Sequence, residues 1–300
     1  MTAPRYCPKG ATYLISKRCL MGMNLLAPQP GIRQIFGYCL ALASQRYGVQ
    51  LHGFMVMSNH WHGVVSDPKG QIDRFLCQLH SLVARAVNQL RGRTDSLWER
   101  RATSLVRLET AEDVLRKLVY LHTNPVTAEL THTGDAWPGL RGVIGVSGAH
   151  TGTLTRPKKF FQEDGPCPES VRLELTYPDA LVDDVASFRE TLRESIKARE
   201  GEVQADVRDG GRFFLGATAV RRQRWDARPG KKLRKSRISP TVAAQDLARR
   251  IHMLGQRATF LERYREALCE WKRGHHPVVF PEGTVQMRRF PGVLIRAPDA

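Results

Sequence analysis

The sequence has few of the features that mark secreted or membrane proteins. Its six cysteines form no C-x-x-C pair, and we interpret them as incidental thiols rather than a disulfide framework. No apolar run approaches the roughly 18 residues that a membrane-spanning helix needs. No signal-peptide pattern precedes the cysteines. We therefore expect a reduced cytoplasmic protein without a membrane partner.

Acidic residues are also scarce relative to basic ones. The chain carries 46 Lys and Arg against 29 Asp and Glu, which gives a net charge of +17 and a pI near 10.1. Such an excess favours a polyanionic partner, most often nucleic acid, and a nucleoid-associated location in a bacterial cell. An ordinary basic enzyme is the alternative. A membrane surface is a weaker one, because no basic amphipathic helix stands alone at either end.

A length of 300 residues suggests two structural units. Residues 1–145 show the alternating and helical periodicities of one α+β unit. Its predicted strands lie at 11–17, 49–57, 61–66 and 104–108. Its predicted helices lie at 32–47, at 72–90 and from a capping-box-like start at Thr110 to Pro125, which we expect to end the third helix.

Residues 146–300 form the second predicted unit, a mostly helical and basic accessory region for DNA binding. Glycine and threonine dominate 142–155, which predicts a linker, and helices are predicted at 183–199 and at 241–273 with a break near Gly255. Residues 208–237 hold 11 basic and 2 acidic side chains. We predict that one cluster there grips the DNA backbone, or else forms a solvated basic loop. Its members are Arg221, Arg222, Arg224, Trp225, Arg228, Lys231, Lys232, Arg234, Lys235 and Arg237.

Two histidines alternate at the start of the third predicted strand, as His60-Trp61-His62. Side chains two apart on a strand share a face, so the imidazoles project together while Trp61 packs on the other side. Such a pair can hold a divalent ion, with Mg²⁺ or Mn²⁺ suited to phosphate chemistry. An H-x-H motif also arises by chance. The position of this one after an apolar strand and a short turn favours a metal-binding pair over a chance occurrence.

Tyr120 and Asn124 lie four residues apart on the third predicted helix, so they share one helical face. If that helix lies over the sheet beside the histidines, the phenol can reach a metal-bound phosphate, and the Asn124 carboxamide oxygen can supply a third ligand or orient one. The residues alone leave open the alternative that Tyr120 is a core aromatic and that Asn124 only terminates the helix.

The segment HGFMVMSNHWHGVVSDP at 52–68, followed by LVYLHTNPVTAEL at 118–130, resembles the HUH single-tyrosine transposases. More narrowly, it resembles the REP-associated tyrosine transposases, which show His-x-His and, later, Tyr-x-x-x-Asn-Pro on a helix. The likeness covers about residues 10–145. The chain departs from the family pattern at Ser58, where proline is usual, and at Thr127, where arginine is usual.

The resemblance implies a ferredoxin-like (RRM-like) antiparallel sheet with helices on one face. It implies that His60, His62 and Asn124 bind a divalent metal and that Tyr120 is the nucleophile. The function would be cleavage and strand transfer of single-stranded DNA at hairpin-associated sites, through a 5′-phosphotyrosine. The partner would be single-stranded or hairpin DNA, and the enzyme a monomer or homodimer.

Two other functions fit the same residues. A domesticated protein of this fold can bind nucleic acid without cleaving it, although no aromatic-rich RNA-binding signature is present. A metal-dependent nuclease can use water in place of tyrosine. Trapping a covalent protein–DNA adduct separates all three functions.

Overall fold

The central β-sheet is built from the short β-patterned segments of the sequence. The computed structural model describes residues 4–100, 103–178, 184–227 and 240–297. Six strands form this sheet in the order β5-β2-β3-β1-β4-β8, all antiparallel except the β4–β8 pair. Their bounds are β1 Thr12–Arg18, β2 Gln50–Val56, β3 His60–Ser66, β4 Ser104–Leu108, β5 Arg141–Val143 and β8 Val242–Ala243.

Helices and two small sheets surround the central sheet. The helices are α1 Pro30–Tyr47, α2 Ile72–Arg91, α3 Ala111–Thr127, α4 Val185–Asp209, α5 Ala217–Arg222 and α6 Leu247–Lys272. The small sheets pair β6 Gly152–Thr155 with β7 Ser170–Leu173, and β9 Val278–Phe280 with β10 Val293–Ile295. None of the helices in the described ranges is long and apolar enough to span a bilayer.

Local sequence signals set the ends of the first three helices. α1 and α2 stop at Gly48 and Gly92, whose φ angles of 66° and 62° are left-handed and favour glycine. α3 starts with a capping box, in which the Thr110 side chain accepts from the Asp113 backbone and Asp113 accepts from the Thr110 backbone. These caps place α3, and with it Tyr120, at a fixed register along the sheet.

The α+β class and the antiparallel sheet are as the sequence predicted, but the helices do not all lie on one face. α1 and α2 cover the face that carries Trp61, whereas α3 and α4 cover the face that carries Val64. The physical reason is that β2 and β3 are buried on both faces, so each face needs a covering layer. The leucines of α3, such as Leu118, provide the second layer.

Several predicted boundaries also change. α3 continues to Thr127 through Pro125, because a proline in the last turn removes only one helical hydrogen bond. The predicted linker at 142–155 instead contributes the end of β5 and the strand β6. α6 passes through Gly255 without a break. The division at residue 145 stays a prediction; across it, α4 packs on α3 and β8 pairs with β4.

Candidate active site

The histidine pair lies on β3, on the face of the sheet that α3 covers. The ring centroids of His60 and His62 are 4.8 Å apart, and the rings are inclined by 81°. Trp61 points to the opposite face, where its ring packs edge-on against Phe36 at 5.5 Å. Strand alternation thus presents the two imidazoles side by side.

Tyr120 reaches this pair from α3. Its hydroxyl lies 3.4 Å from Nε2 of His62, and the two ring centroids are 5.4 Å apart. The Tyr120 side chain is 43% exposed, so it is not a core aromatic. The phenol is therefore open to an incoming ligand and at the same time next to the imidazoles of its own chain.

Asn124 lies one helical turn beyond Tyr120, and its side chain is half-buried. A hydrogen bond with this side chain opposes the fall in the pKa of His60, where the amide oxygen accepts from the protonated ring, and the rise in the pKa of Tyr120, where the amide nitrogen donates to the phenolate. The four residues that the sequence singled out for the reaction are therefore brought together in one place. This juxtaposition fixes their positions and leaves their chemical roles to be proposed.

Both imidazoles are neutral at ordinary pH. Burial, reinforced by the neighbouring His62, lowers the pKa of His60 well below its usual value, and burial lowers the pKa of His62 to about 4. Nδ1 of His60 lies 2.6 Å from the Asn59 side-chain oxygen, which can only accept. The proton of His60 therefore sits on Nδ1, and Nε2 keeps its lone pair.

This donor set fits a divalent cation. Neutral imidazole nitrogens and an amide oxygen are ligands for ions such as Mn²⁺, and the hydrogen bond from His60 to Asn59 is of the kind that orients histidines in metal sites. Nδ1 of His62 is buried and forms no regular hydrogen bond within the described ranges, although the Ile15 backbone lies close enough to oppose the fall in pKa. Within the described part of the chain, no group of three or more His, Cys, Asp or Glu side chains is arranged to hold a metal. Asn124, which contacts His60 and Tyr120, would supply a third protein ligand.

Arg18 is a member of this site that the motif analysis missed. It is exposed at the end of β1, directly opposite His60 in the antiparallel ladder. Its positive charge lowers the pKa of His60, of His62 and of Tyr120. Burial is the larger influence on Tyr120 and raises the pKa of the phenol, so Arg18 and Asn124 work against that rise. Arg18 enters the site because β1 pairs with β3, and a motif within one segment does not show this pairing.

The predicted basic cluster is described only in part. Arg221 and Arg222 are exposed at the end of α5, and Arg224 forms an ion pair of 2.7 Å with Asp226. Trp225 packs against the hydrophobic core that lies between the sheet and the helices α1 and α2. The remaining members, Arg228, Lys231, Lys232, Arg234, Lys235 and Arg237, lie outside the described residues.

The segment that carries Trp225 runs beside the β2–β3 turn. The Ser58 hydroxyl donates to the Gln223 side-chain oxygen at 3.0 Å. The backbone N–H of Asn24 donates to the Ala227 carbonyl oxygen at 3.2 Å. Ser58 precedes His60 by two residues. Part of the basic cluster is thus anchored next to the histidine pair.

Comparisons with known proteins give the following. No protein-family model matches the chain, and no curated protein matches it. Among solved structures, it is similar to a REP-associated tyrosine transposase bound to a REP hairpin, with 18% identity over 46% of this chain and 81% of that chain and a TM-score of 0.39. It is also similar to a proposed transposase from Deinococcus radiodurans R1, with 14% identity over 39% of this chain and 92% of that chain and a TM-score of 0.29.

Proposed function

We propose that this chain is a single-tyrosine DNA strand transferase, a transposase-type enzyme that cleaves single-stranded or hairpin DNA. The observation that carries the proposal is the 3.4 Å approach of the Tyr120 hydroxyl to His62, with His60 and Asn124 in contact around it. One chain supplies every residue of this group. The net charge of +17 supports a nucleic-acid substrate.

In the proposed reaction the Tyr120 oxygen attacks the phosphorus of a phosphodiester. A tyrosine–phosphate bond forms, the bond from phosphorus to the 3′ oxygen breaks, and that oxygen takes up a proton and leaves as a 3′ hydroxyl. The product is a 5′-phosphotyrosine, which keeps the phosphodiester energy for a later attack by another 3′ hydroxyl. Rejoining in this way transfers the strand without a nucleotide cofactor.

Two residues around Tyr120 offset part of the cost of deprotonating the phenol. Its pKa is raised by burial, so the proton must be lost as the bond to phosphorus forms. The exposed side of the ring gives that proton a path to water. Arg18 and the Asn124 hydrogen bond stabilise the negative oxygen, and the Arg18 guanidinium is also a donor for phosphate oxygens.

His60, His62 and Asn124 would hold a divalent ion, Mg²⁺ or Mn²⁺. When bound, such an ion supplies Lewis-acid polarisation of a phosphate. The chain's own contribution is to keep both imidazoles neutral by burial and to fix the tautomer of His60 through Asn59.

The test is a substitution that removes only the nucleophilic oxygen. Tyr120→Phe is expected to abolish covalent protein–DNA adducts on denaturing gels and to leave the binding of labelled single-stranded DNA within about twofold of the wild type. Tyr47→Phe, on α1, is the matched control and should form adducts normally. Cleavage without an adduct in the wild type would indicate a water-using nuclease, and binding without cleavage would indicate a non-catalytic DNA-binding protein.

A further inference from the structure

Trp225 lies next to two arginines at the C-terminal end of α2. The guanidinium carbons of Arg91 and Arg93 are 5.4 Å and 5.9 Å from the Trp225 ring centroid. Contact between a guanidinium and an indole face is a favourable cation–π interaction. Two positive charges are therefore held together on one aromatic ring, although they repel each other.

Much of the hydrogen-bonding capacity of these two guanidiniums is unused. Nε and one terminal nitrogen of Arg91, and the same two atoms of Arg93, are buried and have no hydrogen-bond partner among the described residues. Arg91 donates once, to the Gln29 side-chain oxygen at 2.6 Å, and that group is neutral. Asp95 approaches Arg93 only to 3.9 Å, beyond hydrogen-bond distance, and its own side chain is 79% exposed.

The helix end alone does not account for this arrangement. A cation in the last turn of a helix gains only a little from the helix dipole when it is exposed. Arg93 is only 13% exposed, and burial lowers the pKa of Arg91 to about 10. Buried donors without partners are costly, and a forked pair of guanidiniums matches the oxygens of a phosphate.

The arginine pair lies close to the candidate active site along the chain's own contacts. Trp225 follows Gln223 by two residues, and Gln223 is bonded to Ser58 in the turn that leads into His60. Two residues extend at most about 7 Å. The arginine pair lies on the face of the sheet that α1 and α2 cover, and Tyr120 lies on the other face. A strand with its scissile phosphate at Tyr120 would therefore reach the pair by passing around the end of the sheet at the β2–β3 turn.

We propose that Arg91 and Arg93, held by Trp225, form a phosphate-binding site that grips the backbone of the DNA strand beside the cleavage site. This inference rests on the proposed function for the identity of the strand, while the phosphate chemistry stands on the contacts of the arginines. Trp225 acts here by positioning the guanidiniums. The same chemistry would accept free inorganic phosphate, and the experiment separates the two sources.

The experiment measures binding of the full-length protein to labelled single-stranded DNA over a range of salt concentrations. Each phosphate contact on single strands contributes about 0.7 to the slope of log affinity against log salt. The Arg91→Gln/Arg93→Gln variant should therefore lose roughly 0.7 to 1.4 of that slope and about tenfold in affinity. The control, Arg46→Gln/Arg74→Gln, removes two exposed charges, one from α1 and one from α2, and should keep the slope.

Two further arms identify the ligand. One neutral methylphosphonate linkage is placed at successive positions of the oligonucleotide. At one position it should lower the affinity of the wild type as much as the double substitution does. At that position it should not lower the affinity of the double variant any further. Inorganic phosphate should compete weakly. If phosphate competes fully while the neutral linkages have no effect, the site takes free phosphate and the proposal is wrong.

These experiments distinguish failure of the arginine site from failure of the proposed function. If the wild type forms tyrosine adducts but the double variant keeps the full salt slope, the arginine site is wrong and the enzyme assignment stands. If the slope falls as expected but no adduct forms, the site stands and the enzyme assignment fails. Should the double variant unfold, the single Arg93→Gln variant, just beyond the end of α2, must show about half of the effect, and an unchanged slope refutes the site.

Discussion

His80 is expected to make the stability of this protein depend on pH between about 3 and 6.5. Its imidazole lies between two tryptophans, 5.8 Å from the Trp61 ring and 5.1 Å from the Trp98 ring. The indole N–H of Trp61 donates to Nε2 of His80 at 3.1 Å, so that nitrogen carries no proton in the native fold. Burial lowers the pKa of His80 to about 3, and Lys17 and Arg5 add to the shift.

The sign and size follow from linkage. The folded-state pKa lies below the ordinary value of 6.5, so between these values the unfolded chain binds a proton that the native protein does not. Stability is therefore retained above pH 6.5 and falls as the pH drops toward 3. At pH 5 the loss corresponds to about 1.5 pH units, or about 2 kcal/mol, and it hardly depends on how far below 5 the folded-state pKa lies.

The perturbation is His80→Gln, which keeps an acceptor for the Trp61 N–H and does not titrate. Urea unfolding followed by tryptophan fluorescence at pH 8 and pH 5 gives the free energy of unfolding of each variant. The difference between the two pH values should be about 2 kcal/mol smaller in His80→Gln than in the wild type. His252→Gln, an exposed site on α6, should behave as the wild type. An unchanged pH dependence in His80→Gln would refute the argument.

The remaining predictions concern the site and its supports. Arg18→Gln should slow adduct formation roughly 10- to 100-fold with little change in affinity, and Arg18→Lys should recover part of the rate, as single-turnover assays will show. His60→Ala should abolish Mn²⁺-dependent cleavage, measured by metal titration after chelation. Full cleavage activity of the wild type in chelator would disprove the metal site. Gly139→Ala should lower the free energy of unfolding by about 1–3 kcal/mol, because its Cβ would lie 2.8 Å from the Val56 carbonyl oxygen, whereas Gly255→Ala, with open space around it in a helix, should raise it by about 0.5–1 kcal/mol. Thermal or urea unfolding checks both, and equal effects would contradict the packing argument.

The parts of the structure that the sequence predicted are those set by local rules. The alternation in β3 put both imidazoles on one face, the αL glycines Gly48 and Gly92 ended two helices, and β4 has the predicted bounds. Tyr120 and Asn124 also lie on one helix, α3, as predicted. These features depend on dihedral preferences and periodicity within about twenty residues, so they can be read from one segment at a time.

The parts that the sequence did not predict depend on pairing between distant segments. Arg18 joins the site only because β1 pairs with β3 in one register. The side of the sheet on which α3 packs depends on β2 and β3 being apolar on both faces, which an isolated strand pattern does not distinguish from alternation. The contact of Trp225 with Arg91 and Arg93 joins residues that are far apart in the sequence, and no local motif carries it.

Covalent attachment of Tyr120 to DNA can be observed on the protein itself. The protein is incubated with single-stranded DNA and Mn²⁺, the adduct is digested with nuclease and trypsin, and the modified peptide is identified by mass spectrometry. We expect a phosphonucleotide on the tryptic peptide of residues 118–141, in which Tyr120 is the only tyrosine. Cleaved DNA with no modified peptide, or a modification on any other residue, would contradict it.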